Sequence, residues 1–157
     1  MSINVPELTT SIEQETGVIT FTVGGVIAGD YVATVTCGDA TPIEITITVT
    51  APECISLRNT PTSIRFTSYN SPITVKYTRN TQYSQGSITF DDISQYTWLT
   101  IQPKSTMVYD SSTGTFYDEF YFTQTEPASA GNRVDIYAYC GSAQRLLAIN
   151  PNINPME

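Results

Sequence analysis

Apolar and polar residues alternate with a period of two along almost the whole chain, and helical periodicity is almost absent. In "GVITFTV" the alternation places Ile19, Phe21 and Val23 on one face. Beyond Gly24 and Gly25, "YVATVTC" sets Tyr31, Ala33, Val35 and Cys37 against Thr34 and Thr36. After the turn cluster "GDATP", "IEITITV" sets Ile43, Ile45, Ile47 and Val49 against Glu44, Thr46 and Thr48. Two such strands joined by a short Gly-Asp turn make a hairpin with one dry face. Successive side chains of a strand point to opposite faces, so this spacing predicts an all-β chain.

"APEC", from Ala51 to Cys54, reads as a junction, because a proline just after a strand stops sheet pairing. Beyond it come "SIRFTSY", "PITVKYT", "GSITF", "YTWLTIQ", "GTFYDEFYFTQ", "RVDIYAYC" and "QRLLAIN". Seven short strands separated by turn signals are the pattern of an immunoglobulin-like β-sandwich. The chain therefore divides into a small β module over residues 1–52, a sandwich over 53–150 and an irregular tail over 151–157. The first module has room for about four strands, one small sheet or a compressed sandwich. A sheet that small buries too little by itself, so it is expected to lean on the second module or on a neighbouring molecule.

The chain contains no histidine. That excludes Ser-His-Asp and Cys-His nucleophilic sites, His-ligated metals and imidazole base catalysis. Net charge is −8, and no Lys or Arg precedes Arg58, while Glu7, Glu13, Glu15, Asp30, Asp39, Glu44 and Glu53 do. An acidic first third repels phosphate backbones, so nucleic acid is not an expected partner. It suits an electropositive protein surface, or serves as a solvated face that maintains solubility. Charged residues are only 14% of the chain, and Thr, Ser, Asn and Tyr fill the surface positions they leave, as in β-proteins that work outside a cytoplasm.

Three cysteines, Cys37, Cys54 and Cys140, are an odd number without metal spacing. This count favours small buried or half-buried thiols in a reducing compartment over the alternative, a bridge from Cys54 to Cys140. "MSINVPELTTSIEQ" has neither the basic nor the apolar region of a signal peptide, so export by the usual route is not expected. No stretch has the roughly 18 apolar residues of a membrane span, and no membrane partner is expected.

"GVITFTVGG" followed by "AGDYVATVTCGDATPIEITITVTAPE" resembles the tail of SprB-type, immunoglobulin-like adhesin repeats of Bacteroidetes, with the middle strands of a full repeat missing between Gly25 and Ala28. The second half resembles a BACON domain, a Bacteroidetes-associated sandwich. The resemblance rests on "TPTSIRFTSYNSPITVKYT", on "WLTIQP" and on "GTFYDEFYFTQTEPASAGNRVDIYAYCG". It closes on "LLAINPN" where the family tends to finish in Gln. Such modules occur in secreted glycan-handling and adhesin proteins and in virion proteins of the tailed phages of these bacteria, including the crAss-like group. A virion protein is assembled in the host cytoplasm and leaves by lysis, so it needs no export signal and can keep free thiols.

No catalytic constellation emerges, and no cofactor or metal site. Asp91-Asp92 and Asp118-Glu119 are the adjacent carboxylates. Strand neighbours point apart, so Asp118 and Glu119 are not an acid/base pair. "FDDIS" lacks calcium-ligand spacing and reads as a turn or strand edge. Trp98 is assigned to the core before sugar stacking. "TFYDEFYF" puts Phe116, Phe120 and Phe122 on one face, with Tyr117, Glu119 and Tyr121 on the other. "VDIYAYC" leaves Asp135, Tyr137 and Tyr139 outward. Were these strands neighbours, Tyr117, Tyr121, Tyr137 and Tyr139 would form one patch for a partner protein or a glycan. The alternative is cross-strand tyrosine pairing that supports the sheet.

The expectation is a non-enzymatic virion structural protein, foremost a capsid decoration or auxiliary protein of a tailed bacteriophage and next a tail or fibre component. Its partners would be the major capsid protein or copies of itself, with glycans as secondary ligands. The alternative is a carbohydrate-binding or adhesion module of a bacterial cell surface.

Overall fold

The computed structural model describes residues 2–4, 9–13, 15–22, 24–79 and 82–155. Every element among them is a β-strand, so the chain is all-β. It forms two compact units, Met1–Ala51 and Pro52–Glu157. Val23, Glu7, Met156 and Glu157 lie outside the described residues.

The first unit contains β1 (Ser2–Asn4), β2 (Thr9–Glu13), β3 (Val18–Thr22), β4 (Gly29–Thr36) and β5 (Ile43–Val49). Of the two expected arrangements, one small sheet or a compressed sandwich, the strands do not form the single sheet: they make a three-stranded sheet β1-β4-β5 and the hairpin β2-β3. β4 and β5 pair antiparallel without a break from Gly29↔Val49 to Val35↔Ile43, as the alternation requires. The expected dry face is dry over only part of its length. Val26, Ala33 and Val49 are buried, with Phe21, Tyr31 and Ile47 packed against them. At the far end of the same face Ile43 and Ile45 are 65% and 38% exposed, and no apolar layer covers them among the described residues. Cys37 is an exposed thiol, against the expectation of burial.

The second unit contains β6 (Leu57–Thr60), β7 (Ser63–Arg65), β8 (Ile73–Arg79), β9 (Thr89–Phe90), β10 (Leu99–Asp110), β11 (Thr115–Gln124), β12 (Val134–Cys140) and β13 (Ala143–Asn150). Seven correspond to stretches read from alternation, and β6 is additional. They form two four-stranded sheets, β10-β11-β8-β6 and β7-β13-β12-β9. In immunoglobulin lettering these are D-E-B-A and A′-G-F-C, the two-sheet arrangement of that fold. β7 runs parallel to β13, with Ile64 opposite Ile149.

β11 explains the sandwich in miniature: Phe116, Phe120 and Phe122 point inward and Tyr117, Glu119 and Tyr121 outward. The inward rings meet the other sheet through Phe90, whose centroid lies 4.8 Å from that of Phe120 and 5.7 Å from that of Phe122, both edge-to-face. Val75 and Tyr77 from β8, Ile136 and Ala138 from β12, and Leu147 and Ile149 from β13 fill the space between the sheets. Burial pushes the Tyr77 phenol well above its ordinary range.

Cys54 and Cys140 form a disulfide across a Cα separation of 5.6 Å, which corrects the expectation of three free thiols. The turn after β12 wraps the same spot: the amides of Ser142 and Ala143 both donate to the Cys54 carbonyl. Gly141 sits there with a φ of +55°, and a Cβ would lie 2.6 Å from that carbonyl oxygen, so the turn requires glycine. Beyond Asn150 no strand forms among the described residues, in line with the two prolines, yet the segment is tied down. The Gln124 side chain donates to the Asn152 carbonyl at 2.7 Å and accepts from its amide at 2.8 Å.

Candidate functional site

The four tyrosines singled out in the sequence do not form one patch. Tyr117 and Tyr121 lie on β11 and Tyr137 and Tyr139 on β12, which belong to different sheets of the sandwich. Alternation put each side chain on the correct side of its own strand, but the strands are not neighbours. β11 pairs instead with β8 and β10. Two outward surfaces result.

On the first, Lys76 of β8 stands opposite Glu119, and its Nζ lies 3.8 Å from the centre of the Tyr117 ring. Lys104 reaches Glu119 Oε2 at 3.2 Å and sits 5.7 Å from the Tyr121 ring. Ser105 Oγ donates to the same carboxylate oxygen at 3.2 Å. The two cations cover the aromatic faces within cation–π range. These lysines escaped the sequence reading, because nothing local to Tyr117 or Tyr121 announces a partner on another strand.

On the second surface Asp91 is the organising residue. Its Oδ2 accepts the Tyr137 amide at 2.7 Å and its Oδ1 accepts the Tyr139 hydroxyl at 2.8 Å. The Asp91 amide donates to the Tyr137 carbonyl, so the aspartate closes the end of the β9–β12 ladder. That is the strand-edge role expected of "FDDIS". Asp92 takes the turn role: its carboxylate accepts the Ser94 amide at 2.9 Å, and that bond holds its pKa below the ordinary value. The hydrogen bond to Asp91 raises the Tyr139 pKa by favouring the neutral phenol. The Tyr137 and Tyr139 rings lie 6.4 Å apart.

Asp118 and Glu119 point to opposite sides, as read. Asp118 turns into the interior, where its Oδ2 lies 2.6 Å from Arg79 Nη1 and its Oδ1 accepts the Met107 amide. Arg79 also donates to the Gly86 carbonyl. Trp98 is buried beside Tyr96 with ring centroids 5.9 Å apart, in the core role assigned to it. Among the described residues no cluster of three or more His, Cys, Asp or Glu could hold a metal ion. No helix among them is long and apolar enough to cross a membrane.

No family model matches the chain, and no curated protein matches it. Two solved structures are similar in shape, the S-layer protein rSbsC and domains 1–6 of the surface layer protein SbsC. Each is 17% identical and covers 94% of this chain, with TM-scores of 0.42 and 0.43. This chain spans 19% of the length of either.

Proposed function

We propose that the chain is a non-enzymatic structural protein that docks through residues 1–51 and presents the sandwich, foremost as a capsid decoration or auxiliary protein of a tailed phage. A tail or fibre is the second placement. The observation that carries the reading is the incompleteness of the first unit. Among the described residues, Val18, Ile27, Val32, Ile43 and Ile45, five of the eight large apolar residues that are exposed, fall in this smaller third of the chain. Of these, Ile43 and Ile45 are neighbours on one face of β5, and an exposed apolar patch of adjoining residues marks an interaction surface. The resemblance of the second unit to sandwich modules of phage virions supports the particle setting. The major capsid protein or further copies of the chain are the expected partners.

The test is mass spectrometry of gradient-purified particles beside host envelopes. Peptides in particles at a copy number matching the capsid lattice are the expected result. Peptides confined to envelopes would sink the reading.

A second reading, an adhesion or carbohydrate-binding module of a bacterial surface, is favoured by the Cys54–Cys140 bond. Disulfides form and persist in oxidising surroundings outside the cytoplasm. It predicts glycan binding that weakens in Tyr117→Ala or Tyr137→Ala, and no binding on a broad glycan array would remove it.

A further inference from the structure

The two units end their sheets differently. An unpaired strand edge offers a row of amides and carbonyls to any passing strand, and proteins blunt it with short strands, bulges, prolines and lysines. The sandwich uses all four. Its edge strands β7 and β9 have three and two residues. β6 has four and carries the exposed Arg58. The long edge β10 loses register between Pro103 and Ser105 and again between Ser105 and Val108, with Lys104 at the first break.

β5 has none of these devices. It runs seven residues in unbroken register with β4, without proline, lysine or bulge. It is the terminal strand of its sheet, and no strand pairs with its other side among the described residues. Ile43 and Ile45 are exposed on one face, and Glu44 and Thr46 on the other. On the polar face Thr48 Oγ1 donates to Asp30 Oδ1 at 2.7 Å, so a second carboxylate stands one strand behind the edge. Every charged side chain up to residue 51 is acidic: Glu7, Glu13, Glu15, Asp30, Asp39 and Glu44. Pairing β5 with its copy in a second molecule would bring together two surfaces with no cation on either, which like-charge repulsion opposes.

We infer that β5 is a strand-addition site for an extended segment of a basic partner protein. The segment carries Lys or Arg at alternate positions toward Glu44 and Asp30, and apolar residues between them over Ile43 and Ile45. Backbone hydrogen bonds supply the affinity of such an addition and the alternating side chains its selectivity. The inference rests on the docking role proposed for residues 1–51 and specifies how that docking is made.

The test uses the full chain and a peptide of alternating Lys and Val, with an alternating Glu and Val peptide as control, read by amide exchange and NMR. The expected result is new protection of β5 amides with the Lys peptide alone, weakening with salt. Ile43→Asp and Glu44→Lys, both at exposed positions, should each weaken binding by about fivefold, the upper end of one cross-strand pair. Binding that leaves β5 amides unchanged, or that survives both substitutions, overturns the inference. Concentration-dependent self-association through β5 overturns the basic partner. Should the substituted chain still enter particles at the normal copy number, the strand addition falls and docking stands. Should the unsubstituted chain be absent from particles, docking itself falls.

Discussion

Strands β11 and β5 obey the same rule, apolar and polar by turns, and end in opposite conditions. Phe120 and Phe122 of β11 are buried because a second sheet lies across from them, with Phe90 against both rings. Ile43 and Ile45 of β5 occupy equivalent inward-type positions and remain exposed. Alternation decides which way a side chain points. Burial needs a facing layer, and among the described residues of the first unit that layer reaches only Val26, Ala33 and Val49 with their three partners. A unit built this way gains little from its own core and has apolar surface to offer another molecule.

The contrast can be broken in four ways. The largest effect is expected from opening the disulfide with Cys54→Ala and Cys140→Ala. Cross-linking residues 86 apart removes unfolded-chain entropy worth about 4 kcal/mol. Amide exchange should show the loss in β8, β11, β12 and β13. An equal loss in β4 and β5 would mean that one unfolding transition governs both regions, and the contrast would not hold.

Next comes the interior ion pair. Asp118→Ala strands the Arg79 guanidinium and should cost about 3 kcal/mol in denaturant unfolding. Arg79→Met together with Asp118→Leu should recover most of that. A double variant as weak as the single one would mean that the Met107 and Gly86 contacts matter more than the charge pair.

A matched pair of substitutions then probes the first unit. Ile47→Thr, on the packed part of β5, should cost about 1 kcal/mol, while Ile43→Thr at the uncovered end stays within about 0.5 kcal/mol. Equal costs would show that Ile43 is covered in solution. The smallest effect is a titration. The Tyr139 pKa is raised by Asp91, so Asp91→Asn should lower it toward the ordinary 10.0, read by ultraviolet absorbance. A folded pKa above the unfolded one means that this contribution is complete below about pH 10 and is lost as pH rises through the folded value. No change on substitution would dismiss the Asp91–Tyr139 hydrogen bond.

Local pattern made most strands legible, because period-two spacing needs no knowledge of the partner. β6 was missed since its second inward residue is Asn59, a polar side chain whose bonds to Leu146 O and Arg145 are made across the fold. The run of β10 past Pro103 was hidden by a proline that ordinarily ends a strand, tolerated here at a register break on a sheet edge. The candidate patch failed on topology: strands successive in sequence went to opposite sheets, carrying Tyr137 and Tyr139 away from Tyr117 and Tyr121. The disulfide was obscured by the third cysteine, Cys37, which stands apart and exposed.

Tension gives the Cys54–Cys140 bond a further meaning. A pull applied between Pro52 and Asn152 travels through the cystine, and the 86-residue span it closes never carries load. Stretched out, that span would lengthen the chain by about 290 Å. With the bond closed, the segment from Gly141 onward can pay out only as β13 is pulled from both its neighbours, parallel β7 and antiparallel β12. Under such a pull the oxidised molecule would extend far less than the reduced one.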